Sequence, residues 1–329
     1  MAITTTDIRY PAISPKAYEH PADRAATAAL GSIPLLDRVL KRLSELRIER
    51  AFQQLLLADA VELSERQLPA VYAAHVGVAR ALDLPAVPGL YLAAAPGVTN
   101  AATVGSSKPV VIITSGIANL PDDARRTVLA HEAGHVLSDH VHYGTVLQIL
   151  QRLLASGLAP VARLPLQAVA LVLLEWYRCA ELSGDRAATL VNEDPMVSCR
   201  LLMNLAGGSV EGLDVNAFIA QAEAFAETED LFARPGRWLT ELTRTHPFTV
   251  RRVAELTRWV REGDYDRIRD GSYLRRGEEP PPSEQMKAAT EHYRQRFTEI
   301  VDRVAGGVQR LAGQVSQWLR GEGGDGDLG

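Results

Sequence analysis

His131-Glu132-Ala133-Gly134-His135 is the segment from which the architecture of this chain can be worked out, and it follows Leu120-Pro121-Asp122-Asp123. A proline in the first turn and two acids at the positive end of the helix dipole favour a helix that begins there. Residues four positions apart lie on the same face of an α-helix, so His131 and His135 are expected to project side by side. The sequence therefore predicts a helix that presents two imidazoles together.

Two imidazoles on one helical face can bind a single metal ion, and zinc is the ion that this spacing predicts. Zinc–nitrogen bonds are ~2.0–2.1 Å long, a distance that both rings can reach at once. Glu132 lies beside the pair, so it can take a proton from a zinc-activated water without binding the metal. The motif predicts a hydrolase that uses one Zn2+ ion, with Glu132 as the general base.

A catalytic zinc requires a third protein ligand, and the residues directly after the motif do not supply one. The positions at which a metzincin carries its glycine and third histidine hold Ser138 and Val141. His140 would point to the opposite helical face, and His142 would lie about 10 Å along the helix axis from His135. Neither can reach the ion while the helix continues, so both are expected on the surface or behind the ligands.

A second helical segment carries the better candidate, Glu181, with Asp185 one turn further on. A carboxylate ligand from this helix would complete a site of two histidines and one glutamate. Asp185 could accept the free ring N–H of either histidine. Glu175 is the competing choice for the third ligand, although Cys179 rather than an acid occupies the position one turn after it.

The chain resembles the HtpX-like and CAAX-prenyl-protease-like branch of the gluzincin metallopeptidases, whose hallmark is HExxH followed by a distal ExxxD. The likeness covers His20 to Arg276 and is greatest to members without multiple membrane spans. It implies three zinc ligands, a general base and a carboxylate that supports the ligands. In this sequence the ligands are His131, His135 and Glu181, the base is Glu132, and the supporting carboxylate is Asp185.

Further segments carry the same resemblance. Asn100 begins an Asn-Ala turn, and the run from Val110 to Gly116 resembles the edge strand that pairs with substrate backbone, with Val111 and Ile113 as expected contacts. His246, followed by a proline, resembles the downstream His-Pro segment of the family. His246 is expected either to stabilise the oxyanion or to hold the start of the next helix. Asn100 has a similar alternative, because a turn-forming asparagine needs no further role.

The predicted fold is α+β and mostly α, a zincin-like metalloprotease core with a small antiparallel sheet packed on the HExxH helix. Helical periodicity dominates the chain, and the sheet is predicted from two short apolar runs, Gly89–Ala93 and Pro109–Thr114. The expected organisation, in chain order, is a flexible lead-in (1–19), the metallopeptidase domain (20–276), a linker (277–283), an amphipathic helix (284–320) and a disordered tail (321–329).

Composition narrows the expected partners and location. The 329 residues are 47% hydrophobic with a net charge of -5, so the chain should fold and should not bind nucleic acid. The two cysteines form no CxxC pair and the N-terminus lacks an apolar signal, which favours a cytoplasmic location. Residues 153–174 are expected to form buried helices, with peripheral membrane contact as the alternative. The C-terminal helix is expected to dock on the domain or to form an oligomer.

The predicted function is that of a zinc-dependent metalloendopeptidase acting on protein or peptide substrates, by analogy misfolded or membrane-associated proteins. The alternative is a catalytically weak, zinc-containing binding or chaperone-like protein. A zinc used only for structure normally has four protein ligands, which argues against that alternative. An aminopeptidase would need an acidic anchor for the substrate amine, and the sequence identifies none.

Overall fold

Helices make up most of the structure, a computed structural model that describes residues 8–94, 99–105, 108–156, 160–208, 210–229 and 248–319. Its α-helices are α1 (Pro21–Leu30), α2 (Pro34–Glu45), α3 (Ile48–Ala58), α4 (Pro69–Ala81), α5 (Ser115–Ala118), α6 (Asp122–Leu137), α7 (Val141–Ala155), α8 (Pro160–Asn192), α9 (Pro195–Gly207), α10 (Val215–Glu229), α11 (Thr249–Arg261), α12 (Asp264–Arg269) and α13 (Glu284–Leu319). Its strands are β1 (Ala60–Glu62), β2 (Gly89–Ala93), β3 (Ala101–Val104) and β4 (Val110–Thr114). The predicted fold class, α+β and mostly α, is confirmed.

The helix that carries the HExxH motif begins where the sequence predicts. Helix α6 has Pro121 at its N-cap and Asp122 and Asp123 in its first turn, and it continues through the motif to Leu137. The acids lie at the positive end of the helix dipole, and Arg125 bonds back to Asp122 at 2.5 Å. Local sequence is therefore sufficient to place both motif histidines on this helix.

The sheet is mixed rather than antiparallel, and its strand order is β1-β2-β4-β3. Strands β2 and β4 run parallel, whereas β3 is antiparallel to β4 and β1 is antiparallel to β2. The predicted antiparallel pairing of the two apolar runs is wrong because the connection between them contains β3. That additional strand reverses the chain once more, so β4 returns in the direction of β2.

Strand β4 lies inside the sheet, which corrects the prediction that it is the substrate-binding edge. It has β2 on one side and β3 on the other, so its main-chain groups already pair within the protein. Val111 and Ile113 are fully buried in the core and cannot contact a substrate strand. Among the described strands the edge nearest the HExxH helix is β3, which contacts α6.

Helices α6 and α8 pack closely, and a glycine makes this possible. A Cβ atom on Gly134 would lie 2.5 Å from the Cβ of Ala187, well inside van der Waals contact. The absent side chain lets the two helix backbones approach at this level. The acidic segment of α8 is thereby brought against the histidine face of α6.

The segment before α1, expected to be a flexible lead-in, is packed into the core from Tyr10 onward. Tyr10, Ile13 and Tyr18 are each at most 1% exposed. The hydroxyl of Tyr10 donates to the carbonyl of Leu190 at 2.9 Å, and that of Tyr18 lies 3.0 Å from Ser138 Oγ. Isolated aromatic anchors between prolines have no helical or strand period, so periodicity does not reveal that they are buried.

The C-terminal helix α13 docks on the main domain through α1 and α8. Phe297 is fully buried there, and the Tyr293 hydroxyl lies 3.4 Å from Cys179 Sγ. Contact of this helix with a second copy of the chain stays a prediction. None of the described helices combines the length and apolar character needed to cross a bilayer.

Candidate metal centre

The three predicted ligands come together where α6 faces α8. The Nε2 atoms of His131 and His135 lie 3.1 Å apart. The carboxylate of Glu181 places Oε2 3.5 Å from Nε2 of His131 and Oε1 3.4 Å from Nε2 of His135. A tetrahedral ion with bonds of ~2.0–2.1 Å holds neighbouring ligand atoms about 3.3 Å apart. The residues present therefore fit a zinc ion, and their nitrogen and oxygen donors suit that metal.

The charge around these side chains also favours a cation. Burial opposes a charged imidazole at His131, but the carboxylates of Glu181 and Asp185 outweigh it and raise its pKa to about 10. The same carboxylates that favour a proton on this ring favour a metal ion beside it. Burial lowers the pKa of His135, and the neighbouring His131 adds to that effect.

Asp185 lies behind His131 and is held by an arginine from another helix. Its Oδ1 is 3.2 Å from Nδ1 of His131. Arg252 of α11 donates from Nε to Oδ2 at 2.8 Å and from Nη2 to Oδ1 at 2.6 Å. Burial alone would raise the pKa of Asp185, but Arg252 and His131 outweigh it and hold that pKa below its usual value. Asp185 is therefore ionised and can accept the ring N–H of His131.

Arg252 also contacts Glu181, with Nη1 3.3 Å from Oε2. One guanidinium thus lies between two buried carboxylates of α8, which repel each other unless a cation lies nearby. Its positive charge therefore lies beside both carboxylates at the place where a metal would bind. This arginine ties α11 to the centre.

Glu132 is 6% exposed and lies beside the ligands without joining their triangle. Its Oε2 accepts a hydrogen bond of 2.6 Å from the hydroxyl of Thr103, on the edge strand β3. That bond fixes the carboxylate between helix and strand. A base held in this way can exchange a proton with a reacting group that lies along β3.

A cavity of about 640 Å3 opens over these side chains. Its polar wall includes the predicted ligands His131 and Glu181, the predicted base Glu132, and Asn100 and Arg252. Its apolar wall includes Leu201, Leu202 and Leu205 of α9 and Phe248. The cavity therefore joins the candidate centre to a surface on which apolar side chains can bind.

The other predicted residues lie in different places. Glu175, the competing ligand, pairs with Arg178 and lies 2.5 Å from Arg296, away from the histidines. Asn100 bonds through its main chain to Thr114, with its N–H donating to Oγ1 at 3.0 Å. His246 lies outside the described residues. The functional roles of Asn100 and His246 remain proposals.

Thr103 and Arg252 contact the candidate centre although no motif marks them. Nothing in the short run Ala101-Ala102-Thr103-Val104 points to a contact with a base on a distant helix. For the arginine a physical signal exists. Several buried carboxylates near one ion need positive charge from elsewhere in the chain, and the pair Arg251-Arg252 after the His-Pro segment could supply it.

Replacing Gly184 by Ala is expected to weaken zinc binding. A Cβ atom at this position would lie 2.6 Å from Cε1 and 2.7 Å from Nδ1 of His131, so the ring would have to move. The shift would take Nε2 out of the ligand triangle and Nδ1 away from Asp185. The zinc dissociation constant, measured by competition with a chelating dye, should rise.

Gly77→Ala is the matched control, because nothing lies within 4 Å of a Cβ added there in α4. That change should stabilise the fold by about 0.5–1 kcal/mol and leave zinc affinity unchanged. Wild-type zinc affinity in Gly184→Ala would mean that His131 does not bind the metal in the orientation described.

A helix with HExxH beside a mixed sheet, and a glutamate from a second helix at ligand distance, define the chain as a zincin-type metallopeptidase of the gluzincin kind. The model of peptidase family M48 matches residues 65–260. The chain belongs to peptidase family M48, the family of HtpX-like zinc metallopeptidases, and is a hydrolase of peptide bonds.

Comparison with curated proteins gives a relative in plants. The chain is 33% identical over 258 residues to "Plastoglobule-localized metallopeptidase 48, chloroplastic" of Arabidopsis thaliana, covering 75% of this chain and 73% of that protein. No solved structure gives a significant match. The aligned length is greater than that of the stretch matched by the family model.

Proposed function

We propose that this M48 peptidase is a metalloendopeptidase in which His131, His135 and Glu181 bind one Zn2+ ion and Glu132 is the general base. The observation that carries the proposal is the triangle of ligand atoms, with sides of 3.1 to 3.5 Å, that the three side chains form. Glu132 lies next to that triangle in the wall of the same cavity. Nitrogen and carboxylate donors with a neighbouring base are the parts that metal-assisted hydrolysis requires.

The protein side chains have separate tasks in this proposal. When bound, zinc would polarise a carbonyl group and lower the pKa of water to about 7. Thr103 bonds to Oε2 of Glu132 and leaves Oε1 to take a proton from the attacking water. Glu132 then passes that proton to the leaving amine. Asp185, fixed by Arg252, accepts from Nδ1 of His131 and keeps Nε2 of that ring free of a proton.

The cavity favours an endopeptidase over an aminopeptidase. Among the described residues, its acidic lining consists of Glu132, Glu181 and Asp185. Each of them has a contact within the proposed centre, so none is left to bind a free substrate amine. The described lining therefore offers no acidic anchor for a substrate amine, which favours cleavage at internal bonds.

The edge strand β3 is the surface on which we place the substrate. A peptide laid along it would add a strand to the sheet and bring its backbone to Glu132, which already contacts Thr103. The N–H of Thr114 donates to the carbonyl of Asn100 at 3.0 Å. In an antiparallel pair, residues whose main-chain groups bond to the neighbouring strand alternate with residues whose main-chain groups point away from it. The main-chain groups of the next residue, Ala101, should therefore point away from β4 and toward the substrate.

Replacing Ala101 by Pro is expected to raise KM for peptide substrates by about two- to tenfold, the effect of losing one net hydrogen bond. An edge strand tolerates proline at a position where the replaced N–H pointed outward. Zinc content, kcat and the thermal midpoint should therefore stay close to wild type. Steady-state kinetics on a peptide substrate supply the measurement. An unchanged KM would show that substrate does not pair with β3 at this residue.

The proposed activity is tested by digestion of an unfolded protein such as casein. The purified chain should cleave it at internal bonds, cleavage should stop when a chelator removes the metal, and it should return when zinc is added back. Binding of casein without cleavage would favour the chaperone-like alternative. Cleavage that a chelator does not affect would contradict a metal-dependent mechanism.

The physiological substrate, the role of His246, contact with membranes and a cytoplasmic location stay predictions. The Arabidopsis relative is named for plastoglobules, which makes a lipid-associated site a reasonable place to look for this chain. A comparison of proteins that accumulate with active and with Glu132→Gln enzyme would identify substrates of either kind.

A further inference from the structure

We propose that His140 and Asp23 form a hydrogen-bonded chain that holds His135 in the tautomer that binds zinc, so that both are positioning residues. The inference rests on the proposed function, because it assumes that Nε2 of His135 is a zinc ligand. His140 and Asp23 lie on the side of His135 that faces away from the cavity. They are 2% and 0% exposed, respectively.

The chain path brings His140 back to the motif helix. Helix α6 ends at Leu137, and Asp139 has a φ of 56°, a left-handed conformation that turns the backbone sharply. The N–H of His140 then donates to the carbonyl of His135 at 3.0 Å. A continued helix would have carried His140 to the opposite face; the turn places its ring against His135 instead.

The two rings meet at their Nδ1 atoms, which lie 3.0 Å apart. The other nitrogen of His140, Nε2, is 2.9 Å from Oδ2 of Asp23. Asp23 is itself fixed, because Ser183 Oγ donates to Oδ2 at 2.6 Å and Thr27 Oγ1 donates to Oδ1 at 3.1 Å. The contacts therefore run without a gap from α1 to the candidate zinc ligand.

Only one distribution of protons satisfies these contacts while His135 binds zinc. The lone pair on Nε2 of His135 goes to the metal, so its proton is on Nδ1 and must be donated to His140. Nδ1 of His140 must accept it, which leaves the proton of His140 on Nε2. That proton is donated to the ionised Asp23, so the carboxylate determines the tautomer of both rings.

The arrangement gives the two proposed histidine ligands different support. Nδ1 of His131 faces the carboxylate of Asp185 directly, whereas Nδ1 of His135 faces His140, whose other nitrogen contacts the carboxylate of Asp23. Aromatic rings pack around His135 and His140. Tyr177 stacks on His135 at 5.8 Å, and Trp176 lies edge-on to His140 at 5.6 Å. This packing excludes water that could otherwise replace His140 as acceptor.

A second metal ion is the competing explanation for this cluster. The donor atoms of Glu19, Asp23 and His140 lie within 4.8 Å of one another, close enough to hold an ion. However, Nε2 of His140 and the Asp23 carboxylate are already at hydrogen-bond distance, and Ser183 and Thr27 occupy the Asp23 oxygens. A proton between His140 and Asp23 accounts for the contacts of these two residues, so we assign a proton there.

The test compares zinc dissociation constants, measured by competition with a chelating dye, and the visible absorption spectra of the cobalt-substituted proteins. His140→Leu removes the acceptor and should raise the zinc dissociation constant about 10- to 100-fold, the usual effect of losing such a partner. His140→Asn places an amide oxygen near the former Nδ1 and should recover most of the affinity. Asp23→Asn keeps the side-chain size but lets His140 carry its proton on Nδ1, so it should also weaken binding and alter the cobalt spectrum.

His75→Leu is the matched control, since His75 is equally buried but bonds only to the carbonyl of Pro88, at 2.9 Å, among the described residues. It should leave zinc affinity and the cobalt spectrum unchanged. The proposal is overturned if His140→Leu binds zinc as tightly as wild type, or if His140→Asn is no better than His140→Leu. It is also overturned if wild type binds a second zinc that Asp23→Asn loses. A wild-type protein that binds no zinc would instead refute the proposed function.

Discussion

Replacing Glu132 by Gln is expected to lower kcat for peptide cleavage by about 10²- to 10⁴-fold, the usual contribution of a general base. Glutamine has nearly the same size but cannot accept the proton of an attacking water. Its side chain can still accept the hydrogen bond that Thr103 donates to Glu132. Glu132 is not one of the three ligand atoms, so zinc content should not change. Loss of turnover without loss of metal is the expected signature.

The measurement combines kcat on a peptide substrate with zinc content and thermal midpoint of the same preparation. Glu175→Gln is a suitable control, because Glu175 is also a buried glutamate but pairs with Arg178 and Arg296. That variant should keep wild-type kcat even if it unfolds at a lower temperature. A Glu132→Gln enzyme that cleaves at the wild-type rate would remove Glu132 from the proposed mechanism.

The candidate ligand set could be predicted from the sequence because it depends on helical geometry. His131 and His135 are one turn apart on one helix, and Glu181 and Asp185 are one turn apart on another. Each pair is a local feature, and the chemistry of zinc requires that the two pairs meet. The only contact between distant parts of the chain that had to be inferred was the approach of α8 to α6.

The sheet was harder to predict, because strand direction depends on how many strands lie between two apolar runs. The run 101–104 is short and only weakly apolar, so its sequence does not predict a strand. As β3 they reverse the chain, make β4 an interior strand and provide the free edge. One missed strand of four residues therefore changed both the pairing and the surface on which substrate is placed.

Asp185 is predicted from its spacing to Glu181, whereas the residues that contact Asp185, Glu132 and His140 are not, because each of them reaches the centre from another element. Arg252 arrives on α11, Thr103 on β3 and Asp23 on α1. His140 is rejected as a ligand, and expected on the surface or behind the ligands, on the assumption that α6 continues. The left-handed backbone at Asp139 instead ends the helix and places the His140 ring against His135. Periodicity describes residues within one element and gives no information about such turns.

Replacing Glu181 by Ala is expected to abolish tight zinc binding. The change removes one corner of the ligand triangle and leaves two neutral imidazoles, which bind zinc far less strongly than a complete set. It also leaves Arg252, which lies 3.3 Å from the Glu181 carboxylate, without one of its two anionic partners. The positive charge near the centre is then less well balanced, which disfavours a cation further. Peptidase activity should fall with the metal content.

The decisive measurement is the zinc content of purified Glu181→Ala protein. It is determined by elemental mass spectrometry and compared with that of wild type and Glu175→Ala prepared in the same way. Wild type and Glu175→Ala should each carry about one zinc per chain, as a catalytic site with two histidines and one glutamate requires. Glu181→Ala should be purified in folded form with almost none. A folded Glu181→Ala protein that keeps a full equivalent of zinc would contradict the site described here.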